Sequence, residues 1–159
     1  MTAEDRFSAA QTSLWFLNAY VNNVADEIGS ERAMALYAKT AQQGGEMQGR
    51  IARQEAGDRD LEAHAAYSIL RAVPDSMGIV GEVLEESPSL VQVRVPKCSI
   101  YESYLMAGLD EAAMQARCRL GSMRFMDTEA KQLNPHLTFQ LTKFRASPND
   151  ACLEELRME

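Results

Sequence analysis

The chain has 159 residues, 46% of them hydrophobic, a length that suits one domain with a sizeable buried core. Its 23 acidic and 16 basic residues give a formal net charge of −7. No cluster of Lys and Arg stands out, which disfavours a nucleic-acid partner because phosphate binding needs a concentrated basic surface. No apolar stretch approaches the ~20 residues of a membrane-spanning helix, and the N-terminus lacks a signal-peptide pattern. With an odd count of three cysteines, we expect a cytoplasmic protein with reduced thiols.

Hydrophobic residues in the first half of the chain recur at helical spacing. From about Thr2 to Ile28 they lie three, four and seven residues apart, which predicts an amphipathic helix. Gly29-Ser30 supplies a stop and an N-cap for a second helix, which Gly44-Gly45 interrupts or kinks because glycine is unfavourable inside helices. A third helix is expected from Asp58 to just before Pro74.

The spacing of hydrophobic residues changes in the second half, where alternation predicts strands. Two hairpins are expected, separated by a pair of helices. The predicted elements are the strands Ile79–Glu85 and Leu90–Val95, the helices Ser99–Ala107 and Asp110–Leu133, and the strands His136–Phe144 and Cys152–Met158.

This order predicts an α+β fold in which N-terminal helices and a helix pair cover an antiparallel sheet of about four strands. We expect a single domain, 1–159, with a helical half at about 1–75 and a sheet-containing half at about 76–159. Trp15, Phe16 and Tyr20 on the first helix are expected in the core. The edges of such a sheet can pair with another chain, so a homo-oligomer, such as a homodimer, is one expectation.

The cysteines carry the chemistry of this sequence. Cys98, Cys118 and Cys152 all lie in the second half of the chain, and no two of them form a CxxC pair. Three interpretations remain: a thiol nucleophile, a dispersed metal site, or three small hydrophobic residues in a core.

Cys98 is the best-placed nucleophile. It stands at the N-terminal end of a predicted helix, whose dipole favours the reactive thiolate. Glu102 shares its helix face one turn later and could transfer the proton. Cys118 points inward beside Phe125 on the long helix, and Cys152 opens the last strand. The four side chains Cys98, Glu102, Cys118 and Cys152 are our candidate catalytic set.

The substrate-binding candidates are His136, Tyr101 and Phe125. His136 follows a proline at the entry to a strand, where it could serve as a base or a ligand. This interpretation requires no cofactor. The metal alternative places zinc or iron on Cys98, Cys118 and Cys152, with Glu102 or His136 as the fourth ligand of a tetrahedral site.

Two segments of the second half, KCSIYESYLMAGL and LNPHLTFQLTKFRASPNDAC, resemble the L-2-amino-thiazoline-4-carboxylic acid hydrolase family and its uncharacterised relatives. The N-terminal segment SLWFLNAYVNNVADEIGSERAMALY resembles the helical half of those relatives, so the likeness covers most of the chain. Glu102 also matches a position that is often acidic in them. The matching positions are Cys98, Gly108, Cys118, Asn134, Pro135 and Cys152.

The resemblance implies hydrolytic opening of a C=N or C–N bond in a small heterocyclic or amidine-like acid. The Cys98 thiolate would attack the carbon, Glu102 would move the proton, and water would resolve the covalent adduct. The alternative is a domain without catalytic activity, because the same arrangement resembles the small-molecule-binding domain of the 4-vinyl reductase type. In every interpretation the partner is a small molecule rather than a membrane or a nucleic acid.

Overall fold

A computed structural model describes residues 2–57 and 59–159. The helices are α1 (Ala3–Ile28), α2 (Ser30–Ala56), α3 (Ala63–Leu70), α4 (Ala72–Ser76), α5 (Ser99–Met106), α6 (Glu111–Cys118) and α7 (Arg124–Leu133), and the strands are β1 (Glu82–Glu86), β2 (Leu90–Val95), β3 (Leu137–Lys143) and β4 (Cys152–Met158). The predicted α+β fold with two hairpins separated by helices is therefore confirmed.

The four strands form one antiparallel sheet in the order β1-β2-β4-β3. Alternate residues point to opposite faces of a strand, and in β2, β3 and β4 one face is largely apolar and packs under the helices, whereas β1 is exposed along its length. The opposite face is polar: Gln92 and Gln140 each donate a side-chain hydrogen bond to Glu155, both at 3.2 Å. Glu154 and Glu155 are adjacent in β4 and therefore lie on opposite faces of the sheet.

Helix α2 runs without a break through Gly44 and Gly45, so the predicted interruption is wrong. The glycines serve a close approach of α2 to α7. A Cβ atom on Gly45 would lie 2.4 Å from the backbone oxygen of Phe125, and one on Gly49 would lie 2.5 Å from Cγ of Gln132. Packing against α7 therefore compensates for the low helix propensity of these glycines.

The segment between α2 and the sheet differs from the prediction. Helix α3 begins at Ala63, and the expected start at Asp58 lies outside the described residues. Pro74 does not follow the helix but lies in the first turn of α4, where its missing N–H removes no helical hydrogen bond. Ile79 precedes the first strand and is buried in the core, because Gly78 turns the chain with φ +70°.

The predicted long helix from Asp110 to Leu133 is interrupted by a π-helical turn, Arg119–Met123, between α6 and α7. Asp110 caps α6 as expected and accepts a hydrogen bond from the backbone N–H of Ala113 at 2.8 Å. Single π-turns inside helices occur frequently at functional sites. This one brings Gly121 and Ser122 to the space described below.

Helix α1 does not bury the aromatic residues that its pattern favoured. Trp15, Phe16 and Tyr20 are 39%, 70% and 60% exposed. A buried polar contact joins α1 to α6 instead: Arg117 donates hydrogen bonds to Asn18 at its backbone oxygen (3.0 Å) and its Oδ1 (2.9 Å). Among the described residues, no helix combines the length and the hydropathy needed to cross a membrane.

Candidate functional site

A cavity of about 690 Å³, partly open to solvent, lies between helices α1 to α4 and the apolar face of the sheet. Small residues on its walls, among them Ala33 and Ala41, leave the space unfilled. The rest of the wall is mainly aliphatic and aromatic. A concave, largely apolar cavity of this size is typical of a small-molecule site.

Glu154 is the carboxyl that the sheet directs into this cavity. It lies in β4 between Cys152 and Leu156, which face the same side. No hydrogen bond or ion pair joins its carboxyl to another described residue. Burial raises the pKa of Glu154 to about 7, and the positive charge of Arg145 partly opposes this rise.

Arg145 lies beside this carboxyl but does not line the cavity, and its side chain is almost fully buried. Its Nη2 donates to the backbone oxygen of Val95 at 2.8 Å, its Nη1 to that of Pro96 at 3.2 Å, and its Nε to Sγ of Cys152 at 3.5 Å. The guanidinium carbon also lies 4.7 Å from the ring centroid of Tyr101. These contacts hold the cation in place.

The three cysteines lie in one region: Cys152 contributes to the raised pKa of both Cys98 and Cys118, and Cys98 contributes to that of Cys118. Cys98 lines the cavity at the N-cap of α5, and burial raises its pKa to about 12. A hydrogen bond from the Tyr101 backbone opposes this shift but is outweighed. Burial also raises the pKa of Cys118, with smaller contributions from Cys98, Glu154 and Cys152. Cys98 and Cys118 are therefore protonated thiols near neutral pH.

The other predicted site residues are spread more widely. Phe125 lines the cavity with Cys98. Tyr101 is buried under Arg145, and Glu102 lies on a part of α5 that does not reach the cavity lining. His136 is exposed at the start of β3, where its backbone oxygen accepts a hydrogen bond from Glu159.

Three hydroxyl groups near the cavity were not found from the sequence. Tyr37 and Ser122 line it, and a Cβ on Gly121 would meet the Tyr37 hydroxyl. Tyr104 is almost fully buried behind them, with its hydroxyl close to those of Tyr37 and Ser122. Glu154 was missed too, although an acidic residue at an inward-facing strand position is a recognisable signal.

The cysteines do not form a metal site. Within residues 2–57 and 59–159, no three His, Cys, Asp or Glu side chains are arranged to hold a metal ion. Cys98, Cys118 and Cys152, with Glu102 or His136, are among the residues covered by this statement.

The fold and cavity define an α+β domain that encloses a site of ligand size. The L-2-amino-thiazoline-4-carboxylic acid hydrolase family matches residues 9–153, nearly the whole chain, and the chain belongs to this family. Curated protein sequences give no match.

A solved structure, the crystal structure of the phenol-responsive sensory domain of the transcription activator PoxR with phenol, is similar in fold. The similarity has a TM-score of 0.56 and covers 91% of this chain and 74% of that chain. The two sequences are 13% identical, so this comparison establishes the fold alone.

Proposed function

We propose that the protein binds a small, largely apolar molecule in the cavity. The observation that carries this proposal is the cavity itself: about 690 Å³ of space with a mainly aliphatic and aromatic wall. A cavity of this volume and lining can hold apolar molecules of many shapes, and burial of their apolar surface supplies the affinity. The solved phenol-bound sensory domain with a similar fold supports a binding role.

The charges around the cavity argue against a small polar acid as the preferred ligand. Arg71 lines the cavity but pairs with Asp75, its Nε lying 3.1 Å from Oδ2. Arg145 is engaged with backbone oxygens and does not line the space. A carboxylate inside the cavity would therefore meet Glu154 without a free cation deep in the site.

The test is to fill the cavity from one wall. Ala33 lines the cavity from α2, whereas Ala35 lies on the same helix and is exposed. We expect Ala33→Phe to weaken binding of 1-naphthol by about tenfold or more, which corresponds to ~1.4 kcal/mol. Ala35→Phe is the matched control and leaves the affinity unchanged. Isothermal titration calorimetry measures both; equal affinities in the two variants would contradict the proposal.

A second candidate function, hydrolysis of a C–N bond, is supported by the family and by the two reactive groups that line the cavity. The charge of Glu154 contributes to the raised pKa of Cys98. In this mechanism the Cys98 sulfur attacks the C=N carbon while its proton passes through Glu154 to the ring nitrogen, giving a tetrahedral adduct. The bond from that carbon to the ring nitrogen then breaks as the exocyclic amino group gives up a proton to the departing nitrogen and becomes a C=N group. Water adds to this carbon, and the carbon–sulfur bond breaks as the sulfur regains a proton, which leaves an open-chain carbamoyl product and the free thiol. Glu154 takes the role expected of Glu102, since Glu102 does not line the cavity.

Turnover of L-2-amino-thiazoline-4-carboxylic acid tests this candidate. Measurable hydrolysis by the wild-type protein, lost in both Cys98→Ala and Glu154→Gln, would support it. Full turnover in Cys98→Ala would remove Cys98 as the nucleophile. Absence of hydrolysis by folded wild-type protein would leave the binding function as the one supported.

A further inference from the structure

We propose that the cavity selects apolar ligands that carry a protonated amine, and that the amine binds the carboxyl group of Glu154. This inference rests on the proposed binding function and names its ligand class. The apolar wall would hold the body of the ligand, and the carboxyl that β4 directs into the cavity would hold its head. The chemistry is that of a lipophilic primary amine.

The first argument is that the Glu154 carboxyl makes no hydrogen bond to a described residue. Buried polar groups in proteins are almost always hydrogen-bonded, and a buried carboxylate without a partner is unfavourable. The Glu154 side chain faces the cavity and makes no hydrogen bond to a described residue. By contrast, the adjacent Glu155 accepts hydrogen bonds from Gln92 and Gln140 and pairs with Arg157 at 2.7 Å. One of two neighbouring carboxyls is therefore fully partnered, and the other is left for a ligand.

The groups around Glu154 are the second argument. From the helices it is faced by the Tyr67 hydroxyl on α3, by the Cys98 thiol and by the Cys118 thiol. Burial raises the pKa of each of these three groups, so all three are neutral near pH 7. Cys152 precedes it on the same face of β4, and Arg145 is the positive charge nearby.

Arg145 does not make the direct contact to the Glu154 carboxyl that we assign to the amine of the ligand. Its donors are directed to the backbone oxygens of Val95 and Pro96 and to the sulfur of Cys152. It stabilises negative charge on Glu154 from behind the cavity wall, and none of its three hydrogen bonds reaches the carboxyl. A ligand ammonium can therefore add the direct, charge-assisted hydrogen bonds that the protein leaves unmade.

Proton release provides a readout in the unmodified protein. Since the pKa of Glu154 is about 7, the carboxyl is close to half protonated at neutral pH. An ammonium beside it favours the charged form and lowers its pKa, so binding of the amine expels a proton to the buffer. A neutral ligand of the same shape has no such effect.

The experiment compares three probes with one apolar body: 2-naphthylmethylamine, 2-naphthylmethanol and 2-naphthoate. Isothermal titration calorimetry at pH 7 in two buffers of different ionisation enthalpy gives the affinity and the proton release. We expect the amine to bind about tenfold more tightly than the alcohol, with the acid weakest, and to release part of a proton. Glu154→Gln removes the preference for the amine, whereas Glu155→Gln, on the other face of the sheet, retains it.

The outcomes separate this inference from the proposed function. If the alcohol binds as tightly as the amine, or if Glu154→Gln keeps the amine preference, the inference is overturned while cavity binding stands. If none of the three probes binds, the proposed function fails and the inference falls with it. Should Glu154→Gln not fold, the affinity order and the proton release of the wild-type protein decide.

Discussion

The two halves of helix α2 pack in opposite ways. In its C-terminal half, Gly45 and Gly49 let α7 approach so closely that a single added carbon atom would overlap it. In its N-terminal half, Ala33, Leu36 and Tyr37 border the open cavity. Small residues allow close helix packing in the C-terminal half and leave space in the N-terminal half. The difference lies in the facing element: the α7 backbone approaches the C-terminal half closely, whereas the N-terminal half borders the cavity.

Each region also buries one acidic side chain. Glu129 on α7 is almost fully buried, and its Oε2 has no hydrogen-bond partner among the described residues. Burial raises its pKa to about 7, as it does for Glu154. Only Glu154 faces the cavity, so only Glu154 can gain a partner from outside the chain. The comparison indicates that close packing holds α2 in place at one half, while the other half borders the proposed binding site.

The largest expected effect concerns Cys98 on the open side. With its pKa raised to about 12, little thiolate is present at pH 8, and we expect iodoacetamide to alkylate it roughly 1000-fold more slowly than a free cysteine. Peptide mass spectrometry over time measures the rate, with urea-unfolded protein as the control. Alkylation as fast as in the unfolded chain would show an activated thiolate and favour the hydrolase candidate.

The second prediction concerns Glu129 on the close-packed side. Its folded-state pKa of about 7 lies above the ordinary value of 4.5, so its carboxyl is equally protonated in both states below pH 4.5. As the pH rises to 7, the carboxyl of the unfolded state loses its proton first, and the folded state loses up to about 3 kcal/mol of stability relative to the unfolded state. We expect Glu129→Gln to remove this loss. The difference in unfolding free energy from wild type should therefore rise in favour of the variant between pH 4 and pH 8.

Urea denaturation at both pH values measures this difference. Asp127 on the same helix is partly exposed and has an ion pair with Lys131, so Asp127→Asn is a control that should lower stability modestly at pH 8. A pH-independent difference between Glu129→Gln and wild type would contradict the assigned burial of Glu129.

The smallest expected effect is a difference in stability between two neighbouring substitutions in α2. In Gly45→Ala the new carbon meets the Phe125 backbone oxygen, and we expect a loss of about 2 kcal/mol. In Gly44→Ala it meets only the ring of Phe125, which borders the cavity and can shift. That variant should be within about 1 kcal/mol of wild type, on the stabilising side. Urea midpoints with unchanged slopes provide the measurement; equal losses in both variants would mean that the open side is as tightly packed as the other.

The site was only partly predictable. Of the candidate site residues, Cys98 and Phe125 line the cavity. The hydrophobic pattern of the sequence indicated the strand end before Cys98 and the helix face that carries Phe125. Glu102 was predicted from its shared helix face with Cys98 and His136 from its place at the entry to a strand, but neither these two nor Tyr101 lines the cavity. Helical geometry placed Ser122 on the inward face of Cys118 without making it a site candidate, and the π-helical turn that brings it to the cavity was not predicted.

The amino-acid sequence by itself determined the helices, the strands and their pairing into two hairpins, because hydrophobic periodicity and turn residues act over a few neighbouring positions. Tertiary structure alone decided that Gly44 and Gly45 lie in an unbroken helix and that Glu154 faces an unfilled space. Both depend on how closely elements far apart in the chain approach each other, and a local pattern contains no information on that distance.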